Sequence, residues 1–306
     1  MDKVQSGVIA EASSDALFVT LKVNREKISE LKSRLSLSQK TIADLKARFP
    51  DAQLHAVIAI GSEFWPFLSD RKPALLTSFP QCSSAIEVPS TPVDLLLHLR
   101  SNRHDVTYEL AVSLMKLLGD CVSLEEEIHG FRYLDMRDLT GFVDGTENPQ
   151  DQHKQEVAVV GEEDPEFSGG SYIHLQRYIH DLACWSQQTT KAQEDIYGRT
   201  KEENIEYASD QKAATAHTKR TSLKDSQGNS VEILRHSMPY GNLMESGLMF
   251  ASYCRTPENF TLMIRSMVEG DGAGNTDRLM QFTRAVTGQA FFAPSVVWFQ
   301  EIGATN

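Results

Sequence analysis

The pattern that most limits how this chain can fold is a strand-then-helix block that occurs twice, about half a chain apart. In the first copy, Asp94–Arg100 reads as a strand. Asp105–Leu118 follows as a helix with Val106, Leu110, Leu114 and Leu117 on one face, stopped by Gly119 and Asp120. In the second copy, Leu248–Cys254 reads as a strand. The helix after it has Pro257 near its start and Phe260, Met263, Ile264 and Met267 on its inner face. A length of 306 residues leaves room for two units of ~150 each. The repeat therefore predicts a duplicated α+β unit, each half a sheet covered by helices. The boundary is expected within residues 145–165, which are polar and carry Gly161 and Pro165, with Gly169 and Gly170 just beyond.

The remaining elements follow from apolar periodicity. Gly7–Glu11 and Ala16–Val23 read as strands. Ile28, Leu31, Leu35, Ile42 and Leu45 recur at helical spacing. Leu54–Ile60 and Ser171–Tyr178 read as strands, Met280–Thr287 as a continuation of the helical region, and Pro294–Gln300 as a last strand.

Bulk properties exclude some classes of function. No apolar run approaches the roughly 20 residues that span a bilayer. A formal net charge of -12 argues against nucleic acid or an anionic membrane as a partner. Cys82, Cys121, Cys184 and Cys254 form no CxxC pair, so a zinc or iron–sulfur site is not expected. The N-terminal residues show no export signal, so the expected location is the cytoplasm.

Three segments carry candidate chemistry. In Gly141–Pro149 two glycines flank Asp144. This is a plain turn, a calcium loop without the alternating acids of an EF-hand, or a catalytic carboxylate on a backbone that a flat ligand can approach. In Ala213–Arg220, His217 sits among small residues and is either a structural histidine or a metal ligand. In Val231–Gly241, strand alternation puts Arg235 on the same face as Ile233 and Ser237. An inward arginine needs an ion-pair partner, an anion or a polarised ligand.

Taken together and in order, GFVDGTENP, YGRTK, AHTKR and ILRHSMPYG resemble the dye-decolourising peroxidase family, most closely its compact bacterial P-type (formerly B-type) subgroup. The resemblance runs from residue 1 to about 300. It implies two ferredoxin-like halves of the dimeric α+β barrel type. Residues 1–150 would carry the distal aspartate loop at their end, and residues 151–306 would hold most of one haem b (heme b) per chain. It implies an enzyme that reduces hydrogen peroxide and oxidises dyes, phenols or other small one-electron donors. Exposed sheet faces in such α+β halves often associate, so a homo-oligomer, dimer or higher, is expected.

By the same resemblance, His217 matches the proximal iron ligand and Asp277 the carboxylate that accepts its other N–H. Asp144 and Arg235 match the distal catalytic pair, and Arg199 the partner of a haem propionate. Leu248 and Phe250 match apolar liners of the distal pocket. Some members carry asparagine two residues after the distal arginine; here Ser237 stands there and would bind a water. Bulky donors would pass electrons at the haem edge or through Tyr133, Tyr240 or Trp298. The end Glu301–Asn306 shows no tail of the kind that targets relatives to protein nanocompartments, so no packaging is expected. The competing functions are a haem- or porphyrin-handling protein (storage, delivery or iron removal) with incidental peroxidase turnover, and a cofactor-free ferredoxin-like oligomer.

Overall fold

Strand β1 (Asp15–Val23) is buried on both faces, and its alternation assigns each face to a different core. Leu17, Val19, Leu21 and Val23 join one apolar cluster, while Ala16 and Phe18 join another. A computed structural model describes residues 3–303. In it β1 is followed by β2 (His55–Gly61), β3 (Leu95–Ser101) and β4 (Val122–Phe131). The second half contributes β5 (Ser171–His180), β6 (Leu234–Arg235), β7 (Met238–Gly241), β8 (Ser246–Cys254), β9 (Thr283–Ala285) and β10 (Gln289–Ala293).

The two halves share one topology. The first is ordered β4-β1-β3-β2 and the second β10-β5-β8-β7, so in each the first long strand lies between the third and the last. This is the ferredoxin-like arrangement, present twice. The halves join edge to edge, β2 to β10 and β4 to β7, and eight strands close into a ring. Both seams are short: Phe291 and Phe292 face Gly61 and Ile60, and Gly130 faces Tyr240. Closure leaves no long free sheet edge among the described residues.

The second cluster, with Phe18, Val57, Leu96, Ile173, Met249 and Phe291, draws on strands all round the ring and so fills its interior. The first cluster lies outside, between the sheet of the first half and the helices Ile28–Arg48 and His104–Leu118. There Trp65, Leu31, Leu35, Leu110 and Leu114 pack solidly. On the outer face of the second half the packing opens into a cavity.

Three sequence expectations change. Gly7–Glu11 is not a strand but a turn against β2, with the Gly7 N–H on the Ala56 carbonyl at 3.1 Å. Met280–Thr287 does not continue a helix: one 3₁₀ turn, Arg278–Gln281, gives way to β9. Pro294–Gln300 is not a strand, because the Ser295 hydroxyl caps the Trp298 N–H and starts the helix Val296–Ile302. Strand β4 was not anticipated; Glu125, Glu126 and Glu127 at its centre hide its periodicity. Of the segment Glu301–Asn306 behind the expected lack of a packaging tail, residues 304–306 lie outside the described residues. No helix among the described residues is long and apolar enough to cross a membrane.

Candidate active site

Alternation along two paired strands builds the cavity floor. On β5, Ile173 and Leu175 point into the ring, so Gln176, Tyr178 and His180 face outward. On β8, Met249 and Ala251 point inward and Leu248 and Phe250 outward. The strands come so close that a Cβ on Gly247 would meet the Tyr178 carbonyl oxygen at 1.8 Å, which only glycine tolerates. The helix Glu258–Val268 closes the far side with Phe260, Met263, Ile264 and Met267. The cavity between them holds about 460 Å³, within the range of about 300–1,000 Å³ usual for ligand pockets.

His217 and His180 both line this cavity, and their partners separate them. Both ring nitrogens of His180 are engaged: Nδ1 with Thr283 Oγ1 at 2.8 Å and Nε2 with Asp138 Oδ1 at 3.1 Å. Burial pushes the Asp138 carboxyl up, but bonds from His180 and Thr140 outweigh it and hold the group below the usual range. His180 is therefore structural. His217 opens the helix His217–Thr221, and its Nδ1 lies 2.6 Å from Asp277 Oδ2. Asp277 has no solvent exposure, and its Oδ1 accepts the Leu279 N–H at 2.9 Å. That leaves His217 Nε2 as the ring nitrogen without a protein partner among the described residues, on a residue facing the cavity. An imidazole oriented by a buried carboxylate is the donor set expected of a metal ligand.

The loop after β4 brings in Asp144. Gly141 (φ +90°) and Gly145 (φ +80°) take left-handed conformations that bend the chain around it. Arg137 pins the loop by donating to the Gly141 and Lys201 carbonyls at 2.8 and 2.5 Å. The Asp144 N–H donates to the Met136 carbonyl at 3.0 Å, and Oδ1 accepts the Gly145 N–H at 2.7 Å. Its Oδ2 has no protein hydrogen bond among the described residues.

Arg235, on β6, lines the same cavity, and its Nε is buried without a partner among the described residues. A buried guanidinium N–H left unpaired points to a missing acceptor. Leu248 and Phe250 also line the cavity, as does Arg199, which is 4% exposed. The Arg199 guanidinium contacts both carboxylate oxygens of Glu147 at 3.1 Å and the Asn204 carbonyl at 3.2 Å, while its Nε has no partner among the described residues.

Ser237 is placed elsewhere. Its hydroxyl accepts the Ala251 N–H at 3.2 Å, and it lines a second cavity of about 250 Å³ together with Tyr133, Arg132 and Lys154. Asp144, Gly145 and Arg235 line both cavities, so the two spaces meet at these residues. Asp277 stands behind His217 rather than in the cavity wall.

The family follows from comparison with known proteins. Residues 5–132 match the N-terminal and residues 135–298 the C-terminal domain of the Dyp-type peroxidases. The chain belongs to the Dyp-type peroxidase family. A dye-decolorizing peroxidase of Mycolicibacterium paratuberculosis is 39% identical over 293 residues, covering 94% of this chain and 83% of that protein. A putative Dyp-type peroxidase from Shewanella oneidensis superposes with a TM-score of 0.96 at 47% identity, covering 98% of this chain and 99% of that one. A variant of Rhodococcus jostii DypB, solved in complex with haem, gives 0.93 at 35% identity, covering 99% and 100%. Mycobacterial and rhodococcal relatives agree with the bacterial subgroup that the four motifs resemble.

This Dyp-type chain presents a cavity that fits a flat, metal-centred, largely apolar cofactor. Among the described residues it offers one free imidazole nitrogen, apolar walls from Leu248, Phe250, Met263, Ile264 and Met267, and two buried arginine Nε groups with no protein acceptor. Three features of the site escaped sequence reasoning. The His180–Asp138 pair, the Glu147–Arg199 contact and the second cavity all depend on residues brought together from distant segments.

Proposed function

We propose that this chain is a haem b peroxidase that reduces hydrogen peroxide and oxidises dyes, phenols or other small one-electron donors. The observation that carries this reading is the His217–Asp277 pair at 2.6 Å beside a cavity that Asp144 and Arg235 also line. Haem, when bound, supplies the redox chemistry of O–O cleavage. His217 Nε2 would hold its iron. Asp277 accepts the Nδ1–H, which fixes the ring and makes it a stronger donor.

Asp144 Oδ2 takes a proton from one peroxide oxygen and returns it to the other, the leaving one. Arg235 places its charge and its unpaired Nε–H where negative charge gathers. Leu248 and Phe250 exclude water. Arg199, which lines the cavity beside Glu147, would pair with a propionate of the bound group. Ser237 acts from the second cavity, where its hydroxyl can orient a water on the way to Asp144.

We also propose that residues 1–150 form the half carrying the Asp144 loop and residues 151–306 the main haem-binding half. A reducing, cytoplasmic location is supported by four free cysteines. Homo-oligomerisation is supported by the fully exposed Leu243 and Met244 at the tip between β7 and β8. The acidic net charge of -12 favours small-molecule partners over nucleic acid or anionic membrane.

The test is an absorption spectrum of the isolated protein before and after peroxide. The expected result is a histidine-ligated haem band that changes on adding peroxide and is lost in His217→Ala. A protein that takes up no haem, or a His217→Ala variant with an unchanged spectrum, would overturn the assignment.

A further inference from the structure

On the first half, outside the walls of both cavities, three ligand-type side chains from three elements converge on one point. Asp15 opens β1 and His129 lies near the end of β4, where it faces Leu17 in the β1–β4 register. Asp15 and Leu17 lie on one face of β1, so Asp15 and His129 are diagonal neighbours on that face. The helix His104–Leu118 packs there and delivers His104 as its first residue. Asp15 Oδ1 lies 3.0 Å from His104 Nδ1 and 2.5 Å from His129 Nε2. The three ligand atoms all lie within 4.8 Å of one another. The two imidazoles are neighbours, with ring centroids 4.2 Å apart.

The acid at the centre is unusual. Its side chain is 8% exposed, and its Oδ2 is buried with no hydrogen-bond partner among the described residues. No lysine or arginine pairs with it among the described residues; the two histidines are its ion-pair partners. A buried carboxylate with one oxygen unsatisfied and no permanently charged partner among the described residues is costly. The other such cluster, Glu30, Asp120 and Cys121, lacks this signature, because its exposed acids pair with Lys27 and Arg34.

A divalent cation would meet the need. It would bond Asp15, His104 Nδ1 and His129 Nε2, and bind water on the open side, where the histidine side chains are 58% and 43% exposed. Two imidazoles and a carboxylate suit first-row ions such as zinc, nickel or copper. We propose that Asp15, His104 and His129 form a surface site for a divalent first-row transition-metal ion, separate from the haem cavity. The ion ties together β1, β4 and the start of the helix His104–Leu118, and so stabilises the first half.

The experiment uses the full-length, haem-loaded protein without a polyhistidine tag, treated with chelator and then titrated with zinc chloride by calorimetry. One zinc ion per chain is expected, with a melting temperature that rises with zinc concentration. His104→Gln and His129→Gln change exposed side chains and leave the fold in place. Each should weaken binding by about tenfold or more and abolish the thermal shift, while the haem band stays unchanged. Absence of stoichiometric binding, or binding that both variants retain at full affinity, would overturn the site. Because the readout is zinc binding, a failed peroxidase assignment would leave this result standing, and the reverse holds too.

Discussion

Asn148 grips the backbone of Arg235 at both of its polar groups. Its Oδ1 accepts the Arg235 N–H at 3.0 Å, and its Nδ2 donates to the Arg235 carbonyl at 2.9 Å. The Asn148 N–H in turn donates to the Gly145 carbonyl at 3.0 Å. The loop that carries Asp144 is thereby fixed to the strand that carries Arg235.

Asn148→Ala should loosen that relationship without removing either catalytic group. Two backbone groups of Arg235 lose their partners, at a cost of about 1–3 kcal/mol in stability. The haem band should persist while the rate of reaction with peroxide falls. Asn148→Asp, which keeps the acceptor and loses the donor, should be intermediate. Stopped-flow mixing with peroxide reads the difference; a wild-type rate in Asn148→Ala would show the clamp to be dispensable.

Arg235→Leu should slow the reaction with peroxide by about a hundredfold or more, the usual cost of losing a donor at developing negative charge. Asp144→Ala measured alongside apportions the work between the two. If only the aspartate variant is slow, proton transfer limits the step and the guanidinium is secondary.

Asp277→Asn should separate ligand orientation from ligation. His217 Nε2 remains, but the acceptor of its Nδ1–H is weakened. Loss of such an orienting partner typically lowers metal-centre affinity or activity by about 10–100-fold. Faster transfer of haem to an acceptor protein, with a shifted ferric spectrum, is the expected result. Wild-type transfer kinetics would show that the carboxylate only caps the following turn.

Acid should destabilise the fold through its buried histidines. His174, stacked on Phe260 at 4.2 Å between ring centroids, is pushed down by burial to about 3. The folded chain holds it neutral, whereas the unfolded chain protonates it below about pH 6.5. Unfolding therefore takes up a proton, and stability falls as pH drops from about 6.5 toward about 3, at roughly 1.4 kcal/mol per unit. Burial holds His98 and His236 low as well, so they act in the same direction. In His174→Phe, urea unfolding followed from about pH 7 to about pH 4 should show a shallower slope; an unchanged slope would exclude His174 as a contributor.

What the sequence determined by itself was local. The helix Ile28–Arg48 buries Leu31, Leu35, Ile42 and Leu45, as their spacing predicts. The helix His104–Leu118 does the same, although Leu118 takes the buried place expected of Leu117. Short apolar runs were ambiguous because period distinguishes strand from helix only over several turns; Val296–Ile302 was settled by a serine cap. The motifs around Asp144, His217 and Arg235 named residues that one cavity brings together. Tertiary structure alone decided which histidine keeps a free nitrogen, which acid Arg199 holds, which cavity Ser237 faces, and what grips Arg235. The reason is physical: period and turn chemistry act over a few residues, whereas these contacts join segments dozens of residues apart, placed only when eight strands close into a ring.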